Sequence, residues 1–221
     1  MGGSWSPLRD NDYYLKSGAA EARRLIERLG CTRDSQLVDI GCGAGRVAIG
    51  LVRELGQVRY CGLDAYEPAV EWCRRHIERH HPSFRFVHLD VENQRYNPTG
   101  AAITKDFKLP LADRQADIVY LWGLFTNMAP ADMQVYVREI SRIAKQGARV
   151  FLTAFVEDGV PAVSLNPQDY VNYACSGPLH VVRYERQFLF GIFAEHGLSL
   201  DGFDHQGGSD DKQSEIYLTR K

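Results

Sequence analysis

One stretch of the 221-residue chain gathers residues suited to binding a ligand through the backbone: Leu37-Val38-Asp39-Ile40-Gly41-Cys42-Gly43-Ala44-Gly45-Arg46. Glycines directly after a strand let the chain turn tightly and approach a ligand without Cβ interference. The helix that follows presents unpaired N–H groups on the same side. The spacing is G-x-G-x-G, with Arg46 where a dinucleotide fingerprint would carry its third glycine, and no G-x-x-x-x-G-K-[ST] loop occurs. Asp64 stands 19 residues after Gly45 at the end of the next apolar run, and Asp90 stands 26 residues beyond Asp64. An acid at the first position can accept hydrogen bonds from both ribose hydroxyls of an adenosine. The carboxylate of Asp90 and the Val91 backbone suit an adenine edge. Asp39, Asp64 and Asp90 at successive strand ends would face one crevice, which suits a ligand with a ribose, an amine and a cationic sulfonium but no phosphate. Taken singly, each acid has the commoner reading of a helix cap or turn residue.

The elements that must position these residues alternate along the chain. Residues 17–29 have helical apolar spacing and stop at Gly30. Strands are expected at 37–40, 58–63, 84–89, 116–122 and 148–155. Helices are expected to carry Val47, Leu51 and Leu55; to start at Pro68 with Val70, Cys73 and Ile77 inward; and to run from Pro130 to Gly147. A last helix spans 184–195, stopped by Gly197. Two closing strands, 198–203 and 215–219, are joined by a turn at 206–211 too short for a helix, so they pair as a hairpin. The fold class is therefore α/β, a doubly wound, mostly parallel sheet with a C-terminal antiparallel hairpin. The organisation expected is one domain over residues 1–221, with 1–30 as a helical cap. Residues 94–111 read as a long loop. Residues 156–183, with Pro161, Pro167 and Pro178, read as a substrate loop or lid.

Composition narrows the partners. Hydrophobic residues make up 44% and charged residues 24%, with a net charge of -2 and no Lys/Arg run. That offers no electrostatic capture of nucleic acid or an anionic membrane, so neither is expected as a partner. Five scattered cysteines (Cys31, Cys42, Cys61, Cys73, Cys175) form no C-x-x-C pair, which points to reduced thiols in a cytoplasmic protein and no zinc site. Residues 1–10 lack the pattern of a signal peptide, and no apolar stretch approaches the roughly 20 residues of a membrane span.

At this point the chain resembles the class I methyltransferases that use S-adenosylmethionine. The pieces that carry the resemblance are V-D-I-G-C-G-A-G-R (38–46), G-L-D-A-Y-E-P-A-V (62–70), L-D-V (89–91), A-D-I-V-Y-L-W-G (116–123) and I-S-R-I-A-K-Q-G-A-R-V-F-L-T (140–153). The resemblance implies a seven-stranded Rossmann-like sheet. It implies that Asp39 and the turn Gly41, Cys42, Gly43, Gly45, with Arg46, hold the methionine portion. Asp64 and Ala65 would take the ribose, Asp90 and Val91 the adenine, and Leu121, Trp122 and Gly123 would border the methyl. Tyr14, with Tyr13 and Lys16, would fold over the cofactor, or else simply belong to a docked helix. A finer likeness is to bacterial methyltransferases with F-T-H-M after the fourth strand, often associated with saccharide modification. Here Phe125-Thr126-Asn127-Met128 has Asn in place of His.

An oxygen or amine acceptor also needs a base. The candidates are His180, His88, Asp158 and Glu185, with His180 at the mouth between the Pro-rich stretch and the last helix. Tyr170, Tyr173 and Tyr184 could wall a small acceptor, or could be ordinary core tyrosines. His76 and His80 have i, i+4 spacing without an acidic third ligand, which is a solvated helix end before it is a metal site. The expected activity is methyl transfer to a small molecule, O-methylation of a saccharide or secondary metabolite. The rivals are a NAD(P)-dependent oxidoreductase on the same fold and a protein that binds S-adenosylmethionine without catalysis.

Overall fold

The computed structural model describes residues 11–171, 177, 179–207 and 212–221. The expectations attached to Met1–Asp10, Tyr173, Cys175, Pro178 and residues 208–211 lie outside them. The chain packs as two compact units, Met1–Ala101 and Ala102–Lys221.

In the first unit, α1 (Asn11–Leu29), β1 (Gln36–Ile40), α2 (Arg46–Leu55), β2 (Arg59–Asp64), α3 (Glu67–Cys73) and β3 (Phe84–His88) follow one another, with a π turn at Arg74–Glu78 after α3. β2 lies between β1 and β3, parallel to both, with Asp39 opposite Gly62 and Asp64 opposite His88. Leu37, Val38, Asp39 and Ile40 are all buried, as a parallel strand covered on both faces requires. Helices α1 and α2 touch through glycines. A Cβ on Gly50 would stand 2.1 Å from the Gly18 carbonyl oxygen, and one on Gly18 would stand 2.4 Å from the Arg46 oxygen.

The second unit contains β4 (Ala116–Leu121), a 3-10 turn at Phe125–Asn127, α4 (Pro130–Ile143), β5 (Ala144–Glu157), β6 (Val163–Leu165), β7 (Val182–Glu185), α5 (Arg186–Glu195), β8 (Leu198–Asp204) and β9 (Ser214–Arg220). β5 is its hub: β4 and β7 pair with it in parallel, and β9 pairs antiparallel. β8 pairs antiparallel with β9, the hairpin anticipated from the short turn.

Several boundaries differ from the sequence reading. The described residues carry nine strands rather than seven, because β6 forms within residues 156–183 and β7 straddles the end of that stretch. They are only 3 and 4 residues long, too short to show a period, and they form because β5 runs on to Glu157 and offers Phe155–Glu157 as a partner for β7. Tyr184 and Glu185 thus belong to β7. The helix starts at Arg186, with the Glu185 carboxylate accepting from the Phe188 N–H at 2.8 Å as its cap. Gly147 does not close α4. The helix ends at Ile143, and Gly147, at φ 78°, lies in a register irregularity between the pairs Ala116–Ala144 and Ile118–Arg149. The stretch 94–111 is a loop apart from isolated bridges. Its second half is fastened to α4: the Leu109 N–H donates to the buried Glu139 at 2.9 Å, and Arg142 donates to Glu139 at 2.7 Å and to the Leu109 and Leu111 carbonyls. No described helix is long and apolar enough to cross a membrane.

The glycine contact between α1 and α2 predicts an asymmetric response to added methyl groups. Gly50→Ala meets rigid backbone and should lower stability by about 1–3 kcal/mol. Gly191→Ala on α5, whose Cβ would meet nothing within 4 Å, should be neutral or stabilising by up to about 1 kcal/mol. Urea midpoints of the two variants check this, and equal shifts would contradict the close approach.

Candidate functional site

The end of β1 feeds the glycine turn, whose Gly41 and Cys42 N–H groups both donate to the Leu63 carbonyl, at 2.7 and 3.1 Å. Two glycines in it answer to different demands. Gly45, at φ 77°, is sterically forced, since a Cβ there would lie 2.6 Å from Ile77 Cδ1 and 3.1 Å from Cys73 Sγ. Gly43, at φ 53°, needs the left-handed backbone, but a Cβ there would meet nothing within 4 Å, so the turn is open on that side. Gly45 caps α2 with no side-chain hydrogen bond, which leaves the helix start to backbone and ligand groups.

The Asp64 carboxylate joins this turn to the next. Its Oδ2 accepts from the Gly43 N–H at 2.6 Å and its Oδ1 accepts from the Tyr66 N–H at 2.7 Å. Burial pushes its pKa up, opposed by those backbone bonds. Asp39, expected to face the crevice with Asp64 and Asp90, is sealed in the sheet. It is 2% exposed, and its Oδ2 accepts from the Tyr60 hydroxyl at 2.5 Å. Burial pushes its pKa up to about 7, against the Tyr60 hydrogen bond and the Arg46 charge, with the Asp64 charge adding to the rise.

Asp90 is exposed and accepts from Asn97 Nδ2 at 3.1 Å, while the same amide donates to the carbonyl of the buried Val91. The Ala65 carbonyl is engaged by His88 Nε2 at 3.1 Å, and His88 Nδ1 lies 4.0 Å from Glu67, so His88 is a bracing residue rather than a free base. The Tyr14 hydroxyl donates to the Ala44 carbonyl at 2.8 Å and clasps α1 to the turn, which is the docked-helix arrangement. Tyr60, Tyr66 and Tyr96 were not marked by sequence reasoning, because aromatics in strands and loops carry no positional signal of their own. The Tyr66 and Tyr96 rings lie 6.1 Å apart.

In the second unit Leu121 is buried at the end of β4, and the Trp122 ring lies 6.1 Å from the Phe151 ring. The Gly123 N–H donates to Thr153 Oγ1 at 2.8 Å, and Thr153 Oγ1 donates to Gln213 Oε1 at 2.6 Å. Thr126, in the segment that carries Asn127, returns a hydrogen bond to the Gly123 carbonyl at 2.5 Å. The half-buried His180 donates its backbone N–H to Asn166 Oδ1 at 3.1 Å. Asp158 pairs with Arg186 at 2.7 Å, and Glu185 is a helix cap. Tyr170 and Tyr184 are buried, and the Tyr170 hydroxyl donates to Glu157. Among the described residues Cys31, Cys42, Cys61 and Cys73 are free thiols, and no three His, Cys, Asp or Glu side chains converge as metal ligands.

The sealed Asp39 carboxyl makes stability depend on pH. Its folded pKa of about 7 lies above the unfolded value, so its contribution is complete below about pH 4 and is lost as pH rises through 7. The loss is at most about 4 kcal/mol for three pH units. Asp39→Asn keeps an oxygen for Tyr60 and cannot ionise. Its melting temperature should therefore gain on the wild type between about pH 5 and pH 8. A difference constant across that range would mean that Asp39 is ionised in the fold.

Comparisons with known proteins agree with this architecture. A methyltransferase-domain family model matches residues 37–147. Carboxy-S-adenosyl-L-methionine synthase of Actinobacillus pleuropneumoniae is 42% identical over 108 residues, 45% of this chain and 42% of that protein. Methyltransferase GfsG of Streptomyces halstedii is 24% identical over 157 residues, 71% of this chain and 51% of that protein. The chain thus spans about half or less of the length of these curated relatives. Among solved structures, geranyl diphosphate C-methyltransferase from Streptomyces coelicolor A3(2), in complex with S-adenosyl-L-homocysteine, superposes with a TM-score of 0.64 at 15% identity, over 99% of this chain and 86% of that one. Magnesium protoporphyrin IX methyltransferase from Synechocystis PCC 6803 gives 0.64 at 12% identity, over 100% of this chain and 90% of that one. The structural likenesses establish the Rossmann-like methyltransferase fold. The family match covers half of the chain, on the segment that carries the glycine turn and the first four strands, and the chain accordingly belongs to the S-adenosylmethionine-dependent methyltransferase family.

Proposed function

We propose that the chain binds S-adenosylmethionine along the first unit's strand ends and transfers its methyl group to an oxygen of a small molecule, a saccharide or secondary metabolite. The observation that carries the reading is the Asp64 carboxylate, fixed by the Gly43 and Tyr66 N–H groups beside the open face of Gly43. Each carboxylate oxygen that accepts one backbone N–H keeps a lone pair for a ribose hydroxyl. The residues fit the donor's chemistry: acidic and backbone groups for a ribose, an amine and a sulfonium, with no G-x-x-x-x-G-K-[ST] phosphate loop in the sequence.

In this reading Gly41, Cys42, Gly43 and Gly45 with Arg46 hold the methionine portion, and Asp39 supports the turn from beneath. Asp64 and Ala65 take the ribose, Asp90 and Val91 the adenine, and Tyr14 steadies the turn from α1. Leu121, Trp122 and Gly123 border the methyl. The sulfonium supplies an activated methyl group. The chain's work is to hold an acceptor in line behind it and keep water out. The small-molecule acceptor is supported by the absence of basic runs.

Asp64→Ala should weaken binding of S-adenosylhomocysteine by on the order of tenfold or more, since a charged hydrogen-bonding group contributes about 1.5–3 kcal/mol. Isothermal calorimetry reads this, and an unchanged Kd would count against the assignment. For the acceptor, radiolabelled methyl from S-adenosylmethionine should appear in glycosides or hydroxylated metabolites. Label confined to transfer RNA or ribosomes would overturn the small-molecule reading. Conversion of the donor itself to its carboxy derivative would move the chain to the reaction for which its carboxy-S-adenosylmethionine synthase relatives are named.

A further inference from the structure

We propose that His205 is the base that takes the acceptor's proton and that Glu157 is the residue that positions it. The proposal rests on the methyl-transfer reading above and deepens it.

The two residues meet at one edge of the second unit's sheet. β5 and β8 each run antiparallel to β9, so they are parallel to one another, and Glu157 ends β5 while His205 directly follows β8. β4 is parallel to β5, so Leu121–Gly123 leaves the sheet in the same direction. The carboxyl ends of parallel strands are where open α/β sheets receive ligands.

The geometry is that of a base with an orienting acid. His205 Nε2 lies 3.0 Å from Glu157 Oε2. The other carboxylate oxygen accepts from the Tyr170 hydroxyl at 2.8 Å and from Gln206 Nε2 at 2.9 Å, so the acid is fixed from three sides. Burial pushes the Glu157 pKa up, and these three hydrogen bonds outweigh it and hold the group below its ordinary value. An ionised Glu157 only accepts, which assigns the proton of neutral His205 to Nε2 and leaves Nδ1 as the basic nitrogen. No described residue bonds Nδ1, and the His205 side chain is 42% exposed against 20% for Glu157. The pair therefore faces outward, with its basic atom unbonded among the described residues.

Further charged groups surround it. Asp158 and Arg186 form their own ion pair, with Arg186 over the Phe203 ring at 4.6 Å. Arg183 and Lys212 lie over the Tyr170 ring at 5.1 and 5.3 Å, and Asp204 precedes His205. Glu157 bonds the imidazole directly, and the Phe203 ring lies 6.1 Å from it.

During transfer, an acceptor oxygen lone pair forms the new O–CH3 bond as the S–CH3 bond breaks, and that bond's electron pair remains on sulfur as a neutral thioether. The hydroxyl proton passes to Nδ1 of His205. The resulting imidazolium is balanced by Glu157 and returns its proton to water.

The test uses the full chain. By nitrogen-15 NMR, neutral His205 should carry its proton on Nε2, and Glu157→Gln should lower kcat by on the order of tenfold or more with KM little changed. A ring protonated on Nδ1, or a kcat indifferent to Glu157, overturns the proposal. In transfer to methyl glucoside, His205→Ala should lose on the order of 10²-fold in kcat. Its affinity for S-adenosylhomocysteine should stay as in the wild type, and added imidazole should restore part of the rate. Transfer to 4-nitrophenol, which is largely ionised at mildly alkaline pH, should fall far less. Equal losses on both acceptors, or a loss in His180→Ala with His205→Ala intact, overturn it. Failure of the wild type to bind S-adenosylhomocysteine would instead sink the methyltransferase reading itself, so the two failures are distinguishable.

Discussion

A single carboxylate ties together the turns at one edge of the first unit's sheet. Asp64 ends β2 and bonds backward to the Gly43 N–H and forward to the Tyr66 N–H, at 2.6 and 2.7 Å. Charge-assisted bonds of this length are roughly twice as strong as neutral ones. They tie the turn after β1 to the turn after β2, so neither can shift without the other. The rest of the unit makes that arrangement possible. Parallel register sets Asp64 level with His88, Gly45 lets α2 close on Ile77 and Cys73, and Gly18 and Gly50 let α1 lie directly on α2. The Tyr14 hydroxyl then reaches the Ala44 carbonyl from outside.

Beneath the turn, Asp39 does different work. Its burial and its bond to Tyr60 make it a polar brace inside the sheet, and a carboxyl whose pKa is pushed up to about 7 is only partly charged at neutral pH. Two aspartates 25 residues apart in the same fingerprint thus have opposite characters. One is fixed by backbone N–H groups at the rim, and the other is sealed against a phenol. Any cation seated near the turn would favour the ionised form of both, which links ligand charge to the protonation of Asp39.

Much of this was legible in the residues. Alternating strands and helices, the glycine turn and the acids at strand ends were readable because each is local: period, turn chemistry and spacing lie within a few residues. What escaped was non-local. β6 and β7 exist because β5 outruns its other partners, a fact carried by no residue within 163–165 or 182–185. Gly147 was read as a helix stop because a glycine after an apolar periodic run usually is one, yet the backbone used it for an irregularity within β5. The burial of Asp39 depends on Tyr60, 21 residues away, and the contact of His205 with Glu157 spans 48 residues. The base candidates chosen from position alone, His88, Asp158 and Glu185, proved to be engaged in bracing, ion pairing and capping.

The account stands or falls on what Asp64 does when a nucleoside arrives. A crystal structure with S-adenosylhomocysteine measures this directly. The account predicts both ribose hydroxyls within about 2.5–3.0 Å of the Asp64 carboxylate, with the Gly43 and Tyr66 hydrogen bonds retained. A nucleoside bound elsewhere, or a ribose held by other groups while Asp64 stays engaged only with the backbone, would contradict it.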